Sequence, residues 1–152
     1  PRIKLDSVQV HEQKHRDKKL LEALYPLQAD YEKEEVIPKG GVFSKAGCRM
    51  GLERMLKQQL LVAAEYEKTI IGKANSNAFG YTRAQIGGVY VLPQYRGKGI
   101  AACLVQHLCK ELEARQYEPG LFVRKNNIPA LKAYTRVGFE RIADYRIAYY
   151  TE

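Results

Sequence analysis

The chain has 152 residues, 45% of them hydrophobic and 10% aromatic, enough for one domain with a real core and too apolar for a disordered segment. Lys and Arg (25) exceed Asp and Glu (17), and the net charge of +8 favours polyanions without choosing between nucleic acid, acidic membrane and a phosphorylated cofactor. No apolar run approaches the ~20 residues of a membrane helix, and PRIKLDSVQVHEQKHRDKK at the start lacks the apolar core of a signal peptide.

Residues 1–15 are expected to be irregular or to form a short edge strand. The basic cluster Lys14, His15, Arg16, Lys18 and Lys19 reads as a solvated stretch. From Asp17 to about Lys33, Leu20, Leu24, Leu27 and Tyr31 recur at helical spacing, and Pro26 predicts a kink or break. A loop containing Pro38, Gly40 and Gly41 follows. Ser44 then caps a second helix with Cys48, Leu52, Met55 and Leu56 on one face. LLVAAE (60–65) and TIIGKAN (69–75) read as two strands around a tight turn, and IGGVYV (86–91) as a third. Gly97 to Arg115 is a helix with Ile100, Leu104, Leu108 and Leu112 on its buried stripe. LFV (121–123) reads as a central strand covered on both faces. A helix from about Ile128 to Val137 stops at Gly138, and RIAYY (146–150) closes the chain as a strand. This order predicts one α+β (mixed α/β) domain over 1–152, helical over 17–58.

The three cysteines, Cys48, Cys103 and Cys109, have no CxxC spacing and read as reduced thiols of a cytoplasmic protein. Cys103 and His107 have the spacing of two metal ligands, but no second cluster completes a site, so no metal is expected.

The most informative segment is VYVLPQYRGKGIAACL. A strand ends at Leu92, and a turn with Arg96, Gly97, Lys98 and Gly99 leads into a long helix. Glycines permit positive φ and close backbone approach, and the first amides of the helix are unpaired. With the helix dipole they form a site for an anion such as a pyrophosphate. Alternatively, the glycines serve turn geometry only. A dinucleotide site is a third reading, because Gly97, Gly99 and Ala102 fit G-x-G-x-x-[GA]. Its context fails, since only about thirty residues follow LFV and they hold one short helix. A P-loop is excluded because glycine, not Ser or Thr, follows Lys98.

Gln94-Tyr95-Arg96-Gly97-Lys98-Gly99 resembles the Q/R-x-x-G-x-G/A signature of the GNAT superfamily of N-acetyltransferases. VYVLP before it looks like that family's central strand. Asn127-Ile-Pro-Ala130-Leu-Lys-Ala-Tyr134-Thr-Arg-Val-Gly138-Phe139 matches the family's N-x-x-A-x-x-x-Y-x-x-x-G-F pattern. The resemblance covers residues 60–150, with some flavour of FR47-like and glycine N-acyltransferase-like members. It implies a central mixed, twisted sheet with splayed middle strands, flanked by helices.

The same resemblance implies that acyl-CoA enters between the central strand and LFV. Backbone groups of Val89, Tyr90 and Val91 would pair with the pantetheine amides. The amides of Gly97, Gly99, Ile100 and Ala101, with Arg96 and Lys98 nearby, would cradle the pyrophosphate. Asn127 would hydrogen-bond the pantetheine arm, and Lys132 or Arg136 would meet the adenosine phosphate or simply face solvent. Tyr134 would serve as the catalytic hydroxyl beside the CoA sulfur, or else as an anchor of an amphipathic helix. The reaction implied is direct attack of an amine on the thioester of acetyl-CoA. Neither acceptor nor general base is legible. The acceptor is a small-molecule or peptide amine, and a water chain, Tyr90, Glu34, Glu35 or Glu53 could take the proton. Gly87 and Gly88 mark either close approach of a ligand or a bulge.

Two other functions fit less of the sequence. A non-catalytic acyl-CoA-binding module would keep the cofactor motif without an acceptor site. A basic nucleic-acid-binding domain would rest on charge and eleven tyrosines, without any RNP, zinc-finger or helix-turn-helix pattern. No membrane partner is expected, and oligomeric state is not legible. The missing initial methionine fits either its removal before Pro1 or a place near the C-terminus of a longer protein.

Overall fold

Caps and apolar stripes build the first two helices. In a computed structural model of the chain, which describes residues 4–148, helix α1 spans Lys18–Tyr31. Asp17 caps it, its carboxylate accepting from the Leu20 amide at 2.9 Å. Ser44 caps α2 (Lys45–Gln58) through the Gly47 amide. The two helices pack through Leu20, Leu21, Leu24, Leu52 and Leu56, and Leu61 of the sheet joins this cluster.

The sheet has five strands in chain order: β1 (Gln9–Glu12), β2 (Leu61–Tyr66), β3 (Thr69–Phe79), β4 (Arg83–Val91) and β5 (Glu118–Leu121). The first four form an antiparallel meander, and β5 runs parallel to β4. Glu67 and Lys68, both at positive φ, make the tight turn between β2 and β3. The crossover from β4 to β5 is α3 (Ile100–Ala114). Its Leu104, Leu108 and Leu112 are fully buried against Val62, Ile71 and Ala74. α3 thus covers one face of the sheet and α1 with α2 the other. α4 (Ile128–Val137) packs against α3. This is the expected mixed sheet flanked by helices.

Four details differ from the sequence reading. Pro26 does not interrupt α1, which continues to Tyr31 before a single turn of π-helix at Glu32–Val36. Pro26 lies on the exposed face, where its ring meets solvent rather than the sheet. The α3 helix starts at Ile100 rather than Gly97, because Gly97 and Gly99 sit at φ +73° and +81°. LFV is not a central strand. Strand β5 ends at Leu121, it lies at the edge of the described sheet, and Phe122 is 59% exposed. The closing strand is also not found where it can be seen: Arg146 to Ala148 are exposed and carry no strand, and residues 149–150 lie outside the described region.

Candidate active site

A cleft opens where β4 and β5 part. Their pairing runs from Arg83 opposite Glu118 to Ile86 opposite Leu121 and ends there, while β4 continues to Val91. Residues 87–91 therefore have one edge beyond the reach of the β5 ladder. On the other edge, Asn75 pairs with Gly87 and Lys73 with Tyr90, so Gly88 and Val89 together oppose the single residue Ala74. This is a β-bulge, with Gly88 at φ +57°. The bulge read from the glycine pair is present, and side chains approach it closely. A Cβ on Gly88 would lie 2.1 Å from Asn75 Oδ1, and one on Gly87 would lie 1.9 Å from Asn77 Nδ2.

Near Val91 the strand edge is set by alternation. The Leu92 amide donates to the Ile71 carbonyl at 2.9 Å, so the polar groups of Val91 turn away from β3. The Val91 carbonyl accepts instead from Arg96 Nε at 2.8 Å. Tyr90 is committed to its pair with Lys73, so Val89 and Val91 are the residues whose backbones face the cleft.

The turn after β4 holds Pro93–Tyr95 as a short 3-10 helix and then the two positive-φ glycines. Beyond the Gly97 position a side chain would meet nothing within 4 Å, and beyond Gly99 only Leu5 at 3.8 Å. Backbone conformation requires these glycines, and the space in front of them is open. The leading amides of α3, at Ile100 and Ala101, have no partner one turn earlier in the helix. Lys98 is half-buried beside them. Arg96 Nη2 lies 2.9 Å from Glu34 Oε2, and its guanidinium stacks 5.1 Å from the centre of the Tyr90 ring. Open space, free amides and two cations fit a pyrophosphate.

Across the cleft, Asn127 caps α4 with Oδ1, which accepts from the Ala130 amide at 3.2 Å, and its Nδ2 remains a donor. Gly138, at φ +112°, ends the helix. Tyr134 packs against the sheet-and-α3 core. Burial, then Tyr31 and Glu35, push its hydroxyl up to about 12; it therefore stays protonated throughout the physiological range. Lys132 and Arg136 lie on the exposed face of α4.

The π-turn ties the two walls together. Tyr90 Oη donates to Glu34 Oε1 at 2.9 Å, and Arg124 Nη2 donates to the Glu35 carbonyl at 2.9 Å. Burial and the Glu34 carboxylate push the Tyr90 hydroxyl up to about 12. Of the three carboxylates considered as a base, Glu34 alone bonds to β4. Glu53 faces Arg49 on the outside of α2 at 4.0 Å.

Four residues at the cleft escaped sequence reasoning. Lys73 is fully buried, with Nζ 2.9 Å from the Gly88 carbonyl and 3.1 Å from Asn75 Oδ1. The Tyr31 ring covers it at 5.0 Å, and the Tyr31 hydroxyl lies by the Gly88 amide. Arg124 completes the set. The available signal was a lysine inside the otherwise small and apolar run Ile71-Gly72-Lys73-Ala74. As for metals, among the described residues no three His, Cys, Asp or Glu side chains converge, and His107 lies 3.7 Å from Glu111. No described helix is long and apolar enough to cross a membrane.

Comparison with known proteins agrees with this geometry. The pattern of the "Acetyltransferase (GNAT) family" matches residues 21–139. An acetyltransferase of Yersinia pestis (strain Pestoides F) is 32% identical over 97 residues, which are 60% of this chain and 66% of that protein, just under two thirds of its length. The fold is similar to that of a "possible acetyltransferase" from Clostridium difficile 630, with a TM-score of 0.72 at 18% identity, covering 95% of this chain and 97% of the other. It is also similar to a Clostridium acetobutylicum structure described as a "predicted acetyltransferase with acetyl-CoA", with a TM-score of 0.69 at 19% identity, covering 93% and 96%. With residues 21–139 matched by that pattern, the glycine turn and the parting strands included, the chain belongs to the GNAT acetyltransferase family.

Proposed function

We propose that the protein is an N-acetyltransferase that moves the acetyl group of acetyl-CoA to a primary amine by direct attack. The parting of β4 from β5, with open glycines at the head of α3, carries this reading. Val89 and Val91 offer backbone groups to the pantetheine arm, and Nδ2 of Asn127 offers another donor. The amides of Gly97, Gly99, Ile100 and Ala101 receive the pyrophosphate, with Lys98 beside them. Arg96 is shared between the Val91 carbonyl and Glu34 and exchanges these for phosphate oxygen when the co-substrate enters. The reaction forms a C–N bond and breaks the C–S bond. Tyr134, protonated at neutral pH, supplies a proton to the leaving sulfur. Glu34, relieved of Arg96 but still held by Tyr90, is placed to take the proton from the amine.

The acceptor reaches the cleft from the side of α1, the π-turn and α2, where Glu32, Glu34 and Glu35 favour a cationic amine over an acidic one. A small molecule and a peptide both fit this description. Titration of acetyl-CoA into wild type and Gly99→Trp tests the co-substrate site, because Trp at φ +81° both strains the turn and fills it. Binding that is lost in the variant is expected. Binding in neither protein overturns the acyltransferase reading and favours a nucleic-acid ligand. In an amine screen read by thiol release, Tyr134→Phe should bind acetyl-CoA like wild type while turning over at least tenfold more slowly. An active Tyr134→Phe enzyme would remove Tyr134 from the chemistry.

A further inference from the structure

Lys73 is a buried lysine that the reaction as described above does not use. It projects from β3 toward α1, beneath the floor of the cleft. Its Nζ donates to the Gly88 carbonyl at 2.9 Å and to Asn75 Oδ1 at 3.1 Å, and Tyr31 closes the site with its ring face. Asn75 is itself fixed: its Nδ2 donates to the Ser76 carbonyl at 3.0 Å and to Asn77 Oδ1 at 3.1 Å. A fully buried lysine is rare, and it persists only where its donors are used.

The geometry of one peptide unit gives this arrangement a consequence. Among the described residues no peptide bond is cis, so the Gly88 carbonyl and the Val89 amide point in opposite directions from the same plane. Because the carbonyl points at Lys73, the amide points away from that ammonium, and Val89 has no partner in the β3 register at a level where β5 no longer pairs either. A hydrogen bond donated to the carbonyl also polarises the peptide and makes that amide a stronger donor. Bulges are otherwise soft, since the ladder is locally interrupted. Here a side chain from the neighbouring strand fixes the orientation.

We propose that Lys73 is a positioning residue for acyl transfer: by holding the Gly88 carbonyl it aims the Val89 amide at the thioester carbonyl oxygen in the cleft. The proposal rests on the acetyl-CoA reading of the site. Lys73 does not touch substrate on this view, and its effect passes entirely through the Gly88–Val89 peptide. An amide aimed at the thioester oxygen distinguishes acetyl-CoA from CoA, which lacks that oxygen. Binding of the nucleotide and pantetheine parts is the same for both.

The test compares the Kd of acetyl-CoA and of CoA by calorimetry for wild type and Lys73→Met. If Lys73 aims the amide, CoA binds the variant about as it binds wild type, while the ratio of affinities shifts against acetyl-CoA by about fivefold, the worth of one net hydrogen bond. A merely structural lysine would weaken both ligands together and leave the ratio unchanged, and that result overturns the proposal. Lys73→Leu carries the same prediction, likewise leaving the Gly88 carbonyl without a donor, should Lys73→Met melt too low for calorimetry. Failure of wild type to bind CoA at all would overturn the acyltransferase reading instead, so the two failures are distinct.

Discussion

At Gly88 the backbone conformation and the neighbouring side chains make one demand. Its φ of +57° favours glycine, and the direction a side chain would take is filled by Asn75 and Lys73. The lysine that crowds it is displaced from its usual chemistry. Burial pushes the Lys73 ammonium down to about 7, against the opposing pull of Glu32 and then Cys48. Around it stand Tyr31 from α1, Glu32 from the π-turn, Cys48 from α2, Asn75 on its own strand and Tyr90 on β4. An unfolded chain holds this proton up to about pH 10.5 and the folded protein only to about 7. Between those values the unfolded state binds more protons, so folding gains stability as pH rises. Lys73→Met removes the gain. Urea unfolding at several pH values from about 7 to about 10.5 should therefore show wild type improving on the variant by about 1.4 kcal/mol per pH unit. Groups common to both proteins cancel in that difference. A difference that stays flat with pH would mean that Lys73 remains charged in the fold.

Elements were legible wherever one face meets the core and the other meets water. The stripes of α1, α2 and α3 and the cap Ser44 are of this kind. Strand β3 is not. Lys73 and Asn75 share a face by alternation, and two polar residues in succession would ordinarily mark that face as wet. Only the packing of α1 across the sheet makes it dry, and that is a tertiary fact. LFV failed for the converse reason. An apolar triplet announces burial, but β4 bulges and parts from it, leaving Phe122 at the surface with Tyr145 at a ring distance of 4.6 Å. The site motifs were readable because turn chemistry is local: positive φ at Gly97, Gly99 and Gly138 is a demand that each residue answers by itself. Pro26 shows a local demand overridden. Helix α1 accepts it because Leu24 and Leu27 are almost fully buried on the inner face, and that burial outweighs one lost backbone bond. Pro26→Ala should restore a donor to the Glu22 carbonyl and raise stability by up to about 3 kcal/mol, read as a higher Tm. A lower Tm would show that the proline sets the angle at which Tyr31 reaches Gly88.

At the scale of the whole molecule, the +8 net charge acquires a place to act. The cleft mouth gathers Arg96 and Lys98 from the turn, Arg124 from the loop after β5, and Lys132 and Arg136 from α4. The π-turn reaches into this group, Glu34 pairing with Arg96 and the Glu35 carbonyl accepting from Arg124, while Lys98, Lys132 and Arg136 are not tied to it. On the proposed reading a nucleotide that carries several negative charges is drawn to the turn and to α4, a local attraction that neither net charge nor pI reveals. The basic stretch near the N-terminus takes no part in it: Arg16 donates to the carbonyls of Leu56 and Gln59 at 2.6 and 2.5 Å, a structural tie between the start of α1 and the end of α2. Acetyl-CoA affinity should consequently weaken with salt, by several-fold between about 50 mM and about 500 mM, as the Debye length shrinks below the spacing of these exposed charges. Lys132→Ala with Arg136→Ala should flatten that dependence, whereas Lys18→Ala with Lys19→Ala should leave it unchanged. If the second pair flattened it as much as the first, attraction would come from the protein's net charge alone, and the cleft would have no electrostatic polarity of its own.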